Sequence, residues 1–343
     1  MRPPFPAPAL FASDQVVRAA RNRQWCGARQ SGILEKKRTR KHEDEKREVS
    51  EIMKYRTDLA IENQEMLQSA QPAGYTSARR EAGEDITVSE ICITGEEGEQ
   101  AFGKPRGTYV TIEVKGVLEQ KDGIIERAAT ALAAELKKMI AFDYHLKALV
   151  VGLGNEKVTP DSLGPHTVDK VKITSHLFTM FGCDGDWEMA NVSGFNPSVT
   201  GVTGLETADL IKQVVSLARP DVTIIIDSLA ARNMERISTT IQLCDTGIEP
   251  GAGMGNRRKA ITRETLGCRV ISIGVPTVID SRTLILEAAE SISAWTEQEA
   301  ESYLAGRDLD MIVTSTDIDA IIRDFSEIIA KAINITLHPG IYS

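Results

Sequence analysis

The chain has 343 residues, 42% apolar and 26% charged, with a formal net charge of −9. That is chain enough for about two domains at ~150 residues each, and it excludes wholesale disorder. No run approaches the ~20 apolar residues of a membrane helix, and five cysteines make no disulfide framework, so a reducing, cytoplasmic compartment is expected.

The charge is unevenly spread. Residues 1–50 carry 12 Lys/Arg against 6 Asp/Glu, and the remainder carries 28 against 43. An acidic body argues against nonspecific nucleic-acid binding, which needs a basic face, and suits a basic partner. The opening MRPPFPAPALFA is broken by prolines and is not read as a secretory signal. Glu35–Glu48, EKKRTRKHEDEKRE, is charged and aperiodic. Residues 1–52 are therefore expected to be a disordered basic extension, with Met53 a natural start.

From Thr108 the pattern changes. Thr108–Val114 alternates as a strand does, and Ile125, Ala129, Leu132, Leu136 and Met139 follow at helical spacing. Leu146–Leu153 is a buried-type strand. Thr203-Gly-Leu-Glu206 reads as a capping box ahead of a helix through Ile211, Val214, Val215 and Ala218. Asp221–Asp227 and Arg269–Val275 are two more buried strands, and Ile318 to Ala332 forms a strongly periodic last helix. Strands alternating with helices predict an α/β fold, a mainly parallel sheet with helices on both faces and its sites at the carboxyl ends of the strands.

Most short motifs fail on chemistry. Gly98-EQAF-Gly103-Lys104-Pro105 approaches a phosphate-binding loop, but proline replaces the magnesium-holding Ser/Thr and no apolar strand is expected before it. Gly152-Leu-Gly154 lacks the third glycine of a dinucleotide fingerprint, since position 157 is Lys. GxSxG, HExxH and CxxC are absent, and no histidine has a close His or Cys partner at ligand spacing. His166 and His176 are read as hydrogen-bonded structural residues, and the cysteines as buried thiols. Asp245-Thr246-Gly247 resembles an aspartic-peptidase triplet, but those enzymes are all-β. Gly251, Gly253 and Gly255 suggest a flexible loop, and the neighbouring Arg257 and Arg258 either hold an acidic group or form a solvated turn.

Two carboxylates stand out. Asp227 ends a buried strand, and Asp161 sits in the turn-rich Thr159–Pro165 loop beyond another. If those strands are neighbours, both carboxylates reach one cleft. Two close carboxylates cannot both ionise easily, so such a pair can activate water and protonate a leaving amine. Equally, Asp161 could cap a turn and Asp227 accept a hydrogen bond at a strand end.

Longer runs carry a family resemblance. Tyr55–Glu62 (YRTDLAIE), Thr159–Pro165 (TPDSLGP), Thr200–Ile211, Arg219–Arg232 (RPDVTIIIDSLAAR), Thr239–Arg258, Ile271–Asp280 and Met311–Thr314 with Asp317-Ile-Asp319 resemble, in order, the germination proteases of spore-forming bacteria. The likeness runs from about Met53 to the C-terminus. It implies an atypical aspartic endopeptidase that degrades small acid-soluble spore proteins in the spore core, with no cofactor, assembled as a homotetramer and folded like the hydrogenase maturation peptidases. It carries the catalytic role onto Asp161 and Asp227, one acting as base toward water while the other, protonated, polarises the carbonyl. It also implies a zymogen that cuts itself between Asp58 and Leu59, making 53–58 the propeptide remnant and 59–343 the peptidase domain. Arg232, Arg257 and Arg258 are the candidates for binding the acidic residue before the cut. The alternatives are a metal-dependent peptidase, with Asp161, His166 and Asp227 as ligands, and a non-catalytic protein that binds spore proteins.

Overall fold

The computed structural model describes residues 56–67, 73–255, 258–292, 297–305 and 311–342. The readings for residues 1–52 and for Arg257 lie outside the described residues. Contacts group Tyr55–Ser343 as one unit.

In chain order the strands are β1 (Tyr75–Gly83), β2 (Ile86–Ile93), β3 (Gly107–Val114), β4 (Lys147–Gly152), β5 (Asn191–Phe195), β6 (Val222–Ala230), β7 (Thr240–Cys244), β8 (Arg269–Asp280) and β9 (Ile312–Thr314). They form one sheet in the order β1-β2-β3-β7-β8-β6-β4-β5, with β9 paired to β8. The expected α/β sheet is thus present, and its parallel part is β8-β6-β4-β5. Beyond β8 the sheet turns antiparallel through β7, β3, β2 and β1, so the whole is mixed.

The parallel strands read as unbroken apolar runs because both their faces are covered. Leu149 and Val151 of β4 share a cluster with Ile225, Val270 and with Ile211 and Val215 of the Thr207–Ala218 helix. The intervening Val150 packs with Ile224 and Ile271 under Leu132 and Leu136 of the Ile124–Met139 helix and Phe325 and Ile329 of the Ile318–Leu337 helix. A third cluster lies over the antiparallel half and contains Leu59, Ile91, Phe102, Tyr109, Leu229 and Ile279.

Two local expectations are corrected. The capping box at Thr203–Glu206 does not form. Gly204 adopts φ 72° and ends a short Thr200–Thr203 helix, and Glu206, extended at ψ 122°, becomes the N-cap of the next one without a side-chain bond. An apolar strand does precede Gly98, namely β2, and Glu96–Phe102 is a helix closed by left-handed Gly103. That turn delivers Lys104 to the site described next.

Candidate active site

β4 and β6 are hydrogen-bonded neighbours, with Gly152 opposite Ile226, so Asp227 lies one residue past the end of that pairing. From Gly152 the chain turns sharply and returns through Thr159–Asp161. A Cβ at Gly154, whose φ is 106°, would lie 1.9 Å from the Asp161 carbonyl oxygen, and one at Gly152 would lie 2.4 Å from the Gly164 backbone. These two glycines, not a nucleotide, explain the Gly152-Leu-Gly154 spacing. The Asn155 amide donates to Asp161 Oδ2 at 2.9 Å, and Thr277 Oγ1 of β8 donates to the Pro160 carbonyl at 2.7 Å, fixing the loop on the sheet.

The two aspartates feel one another. Burial raises the Asp161 carboxyl from its ordinary 3.8 to about 6, against the Asn155 amide that lowers it. Asp227, 6% exposed, is raised well above the usual carboxylate range, first by burial and then by the negative charges of Asp161 and Asp58. The Ser228 amide, donating at 2.9 Å, offsets this only in part. Burial and two acidic neighbours therefore favour the protonated form more strongly at Asp227 than at Asp161.

Asp58 belongs to a third element, the segment Arg56–Glu62, which lies along the end of β6. The Asp58 amide donates to the Ala230 carbonyl at 3.0 Å. Its carboxylate accepts from the amides of Ala230 at 2.8 Å and Gly253 at 2.9 Å. Gly253 is indispensable there, because its Cβ would lie 2.3 Å from Asp58 Oδ2. Burial nonetheless raises the Asp58 carboxyl, with these amides and the Lys104 charge opposing. The Asp58 carbonyl oxygen accepts from Lys104 Nζ at 2.8 Å and Gln242 Nε2 at 2.9 Å. Gln242 Oε1 in turn accepts from the Ala60 amide at 2.7 Å, so one side chain spans both sides of the Asp58–Leu59 bond. Leu59 is fully buried.

The flanks are held as firmly. Arg56 Nη1 lies 3.3 Å from Asp280 Oδ1 and donates to the Met254 carbonyl at 3.3 Å. The buried Glu62 carboxylate accepts from the amides of Arg232 at 2.8 Å and Asn233 at 2.9 Å and from the Thr57 hydroxyl. Arg232 thus meets this segment through its amide, at Glu62. Arg258 is exposed and donates its amide to the Pro250 carbonyl at 3.1 Å. His166 lies half-buried on the Leu163–Val168 helix, and among the described residues no group of three or more His, Cys, Asp or Glu is gathered as for a metal ion. Asp245 ends in a structural contact, Oδ1 accepting from the Thr108 amide at 2.8 Å.

The sequence reading missed Lys104, Gln242, Ala230 and Gly253 at this site. Gln242 carried a signal, a polar side chain inside the buried strand TIQLC, where burial is costly without partners. Lys104 was considered only as a phosphate ligand. The amides carried none.

Site carboxylates cost stability. Asp161 binds its proton more tightly folded than unfolded, so its contribution is fully favourable below 3.8 and is lost as pH rises through about 6. Asn keeps an oxygen for the Asn155 amide without the charge. Asp161→Asn should therefore be more stable than wild type at neutral pH, by up to about 3 kcal/mol at ~1.4 kcal/mol per pH unit. The gain should vanish below about pH 4. Thermal melts of both proteins across pH check this, and an equal Tm at neutral pH would contradict it.

Comparisons with known proteins identify the family. A sequence profile described as germination protease matches residues 53–302. The germination protease of Caldanaerobacter subterraneus subsp. tengcongensis is 39% identical over 84% of this chain and 96% of its own length. That of Clostridium perfringens is 37% identical over 83% of this chain and 95% of its own. That of Bacillus subtilis is 41% identical over 69% and 66% respectively. Among solved structures, a [NiFe] hydrogenase maturation protease from Thermococcus kodakarensis aligns with 58% of this chain and 99% of its own, at 12% identity and a TM-score of 0.30. Among the described residues no helix is long and apolar enough to cross a membrane. With a family profile over most of its length and relatives matched nearly end to end, this chain belongs to the germination protease family.

Proposed function

We propose that the chain is the zymogen of an atypical aspartic endopeptidase that first cuts its own Asp58–Leu59 bond and then degrades small acid-soluble spore proteins. Family membership makes it a protease of spore germination. The reading is carried by one observation. The Asp58–Leu59 bond is clamped on both sides by Gln242, and the Asp58 carboxylate raises the pKa of Asp227, the partner of Asp161.

In the mechanism, ionised Asp161 takes a proton from water as its oxygen bonds to the Asp58 carbonyl carbon. On collapse the C–N bond breaks and the Leu59 nitrogen takes the proton of Asp227. The proton on Asp161 then returns to Asp227, leaving a carboxylic acid and an amine. An acidic residue before the cut is recognised by the Ala230 and Gly253 amides with Lys104 nearby. Assembly as a homotetramer and a place in the spore core belong to the same proposal and rest on the family likeness.

The test is intact-mass analysis of wild type, Asp161→Asn and Asp227→Asn, incubated at mildly acidic pH with and without chelator. A new N-terminus at Leu59 is expected in wild type alone, with chelator irrelevant. Cleavage in both variants would remove the carboxylate pair, loss with chelator would install a metal, and an uncleaved wild type would favour a binding protein.

A further inference from the structure

An aspartic pair that must both activate water and polarise a carbonyl asks a great deal of one shared proton. Here the carbonyl oxygen is already occupied by other groups. Lys104 Nζ at 2.8 Å and Gln242 Nε2 at 2.9 Å both donate to the Asp58 oxygen. Neither residue is there by accident of a mobile surface. Gln242 is 8% exposed on β7, in the middle of the sheet, and its other amide atom is committed to Ala60 at 2.7 Å. Lys104 directly follows the left-handed Gly103, and its ammonium lies 5.8 Å from the centre of the Tyr109 ring. Tyr109 is itself fixed, its hydroxyl donating to the Pro105 carbonyl at 2.8 Å.

We infer that Lys104 and Gln242 are catalytic residues that hold the oxyanion of the tetrahedral intermediate, freeing the Asp227 proton for the leaving nitrogen. This rests on the peptidase reading above and deepens it. As water's oxygen bonds to the Asp58 carbon, the carbonyl π pair moves onto oxygen. The charge grows between an ammonium and an amide already in place, with Asp227 and Asp161 kept for proton transfer. Fixed donors aimed at developing charge in a water-poor site need no reorganisation, and each is worth about 10²–10³ in rate. In a spore protein the same two donors would meet the carbonyl of the acidic residue.

The cleanest readout is the first-order rate of self-cleavage in the full-length chain, followed by intact mass, beside amide hydrogen exchange over residues 56–62. Lys104→Met removes one donor but none of the bonds that hold the Asp58 and Ala60 amides. Gln242→Glu keeps an oxygen for Ala60 and turns the other donor into a carboxylate oxygen. Each variant should self-cleave about 10²–10³-fold more slowly, with exchange at Asp58 and Ala60 unchanged, and Lys104→Arg should recover part of the rate. Cleavage at the wild-type rate in both would overturn the inference. So would a loss of rate that parallels a loss of protection, since that marks a docking role. The underlying reading fails separately: then wild type stays whole, or Asp161→Asn cleaves as fast as wild type.

Discussion

The processed enzyme, given a peptide with an acidic residue before the cut, will show kcat rising with pH along a limb centred near 6, where Asp161 gives up its proton. The limb falls on the acid side because protonated Asp161 cannot accept from water. A second limb, on the alkaline side, will mark loss of the Asp227 proton, held far above the usual carboxylate range by burial and by its acidic neighbours. The parameter to follow is kcat, because in the complex the substrate's acid stands where Asp58 stands here. Asp161→Asn or Asp227→Asn will lower kcat by about 10²–10⁴, the range for a positioned acid or base. A flat profile through pH ~6, or an Asn variant turning over like wild type, would disprove the division of labour.

Arg236→Ala will cost about 3–5 kcal/mol of folding stability, the toll for breaking a buried charge network from one side. Arg236 is 9% exposed. Its guanidinium lies 3.0 Å from Glu113 of β3 and 3.8 Å from the buried Glu62, and it also pairs with Glu65. Without it, Glu113 keeps only Arg79 at 3.0 Å, and Glu62 keeps only its amides and Thr57. Glu62 already titrates high because burial outweighs these partners, so the loss should shrink in acid, where its proton removes the orphaned charge. Urea denaturation at neutral and acidic pH measures both; a loss below about 1 kcal/mol would mean the cluster is screened like a surface pair.

What could be read in the sequence follows from what burial does to side-chain patterns. β4, β6 and β8 are covered on both faces, so each is an apolar run that stands out. Asp227 was visible as the polar residue that closes the apolar stretch VTIII, although β6 continues past it to Ala230. Asp161 needed one more fact, that β4 and β6 are adjacent, which periodicity cannot supply. β1 was invisible because most of it is exposed, with Arg79 and Arg80 at its centre, and β5 because it is five residues including Gly194. β7 is equally short, and Gln242 interrupts it. The carbonyl donors were hidden for the same reason: one interrupts a strand and the other follows a helix-ending glycine. Ala230 and Gly253 contribute only main chain, on which the sequence is silent beyond Gly253 lacking a Cβ.

The crowding of Asp58, Asp161 and Asp227 also bears on turnover. On the proposed reading, hydrolysis converts the Asp58 carbonyl into a second carboxylate, beside a side-chain carboxylate already raised by burial. The cut end then carries two acids in a site that tolerated one with difficulty, and the covalent tether that held them there is gone. Repulsion, already felt by Asp227 in the uncut chain, therefore acts more strongly on the product. On that reading, the chemistry that cleaves the bond also helps to clear the cleft for the next acidic segment.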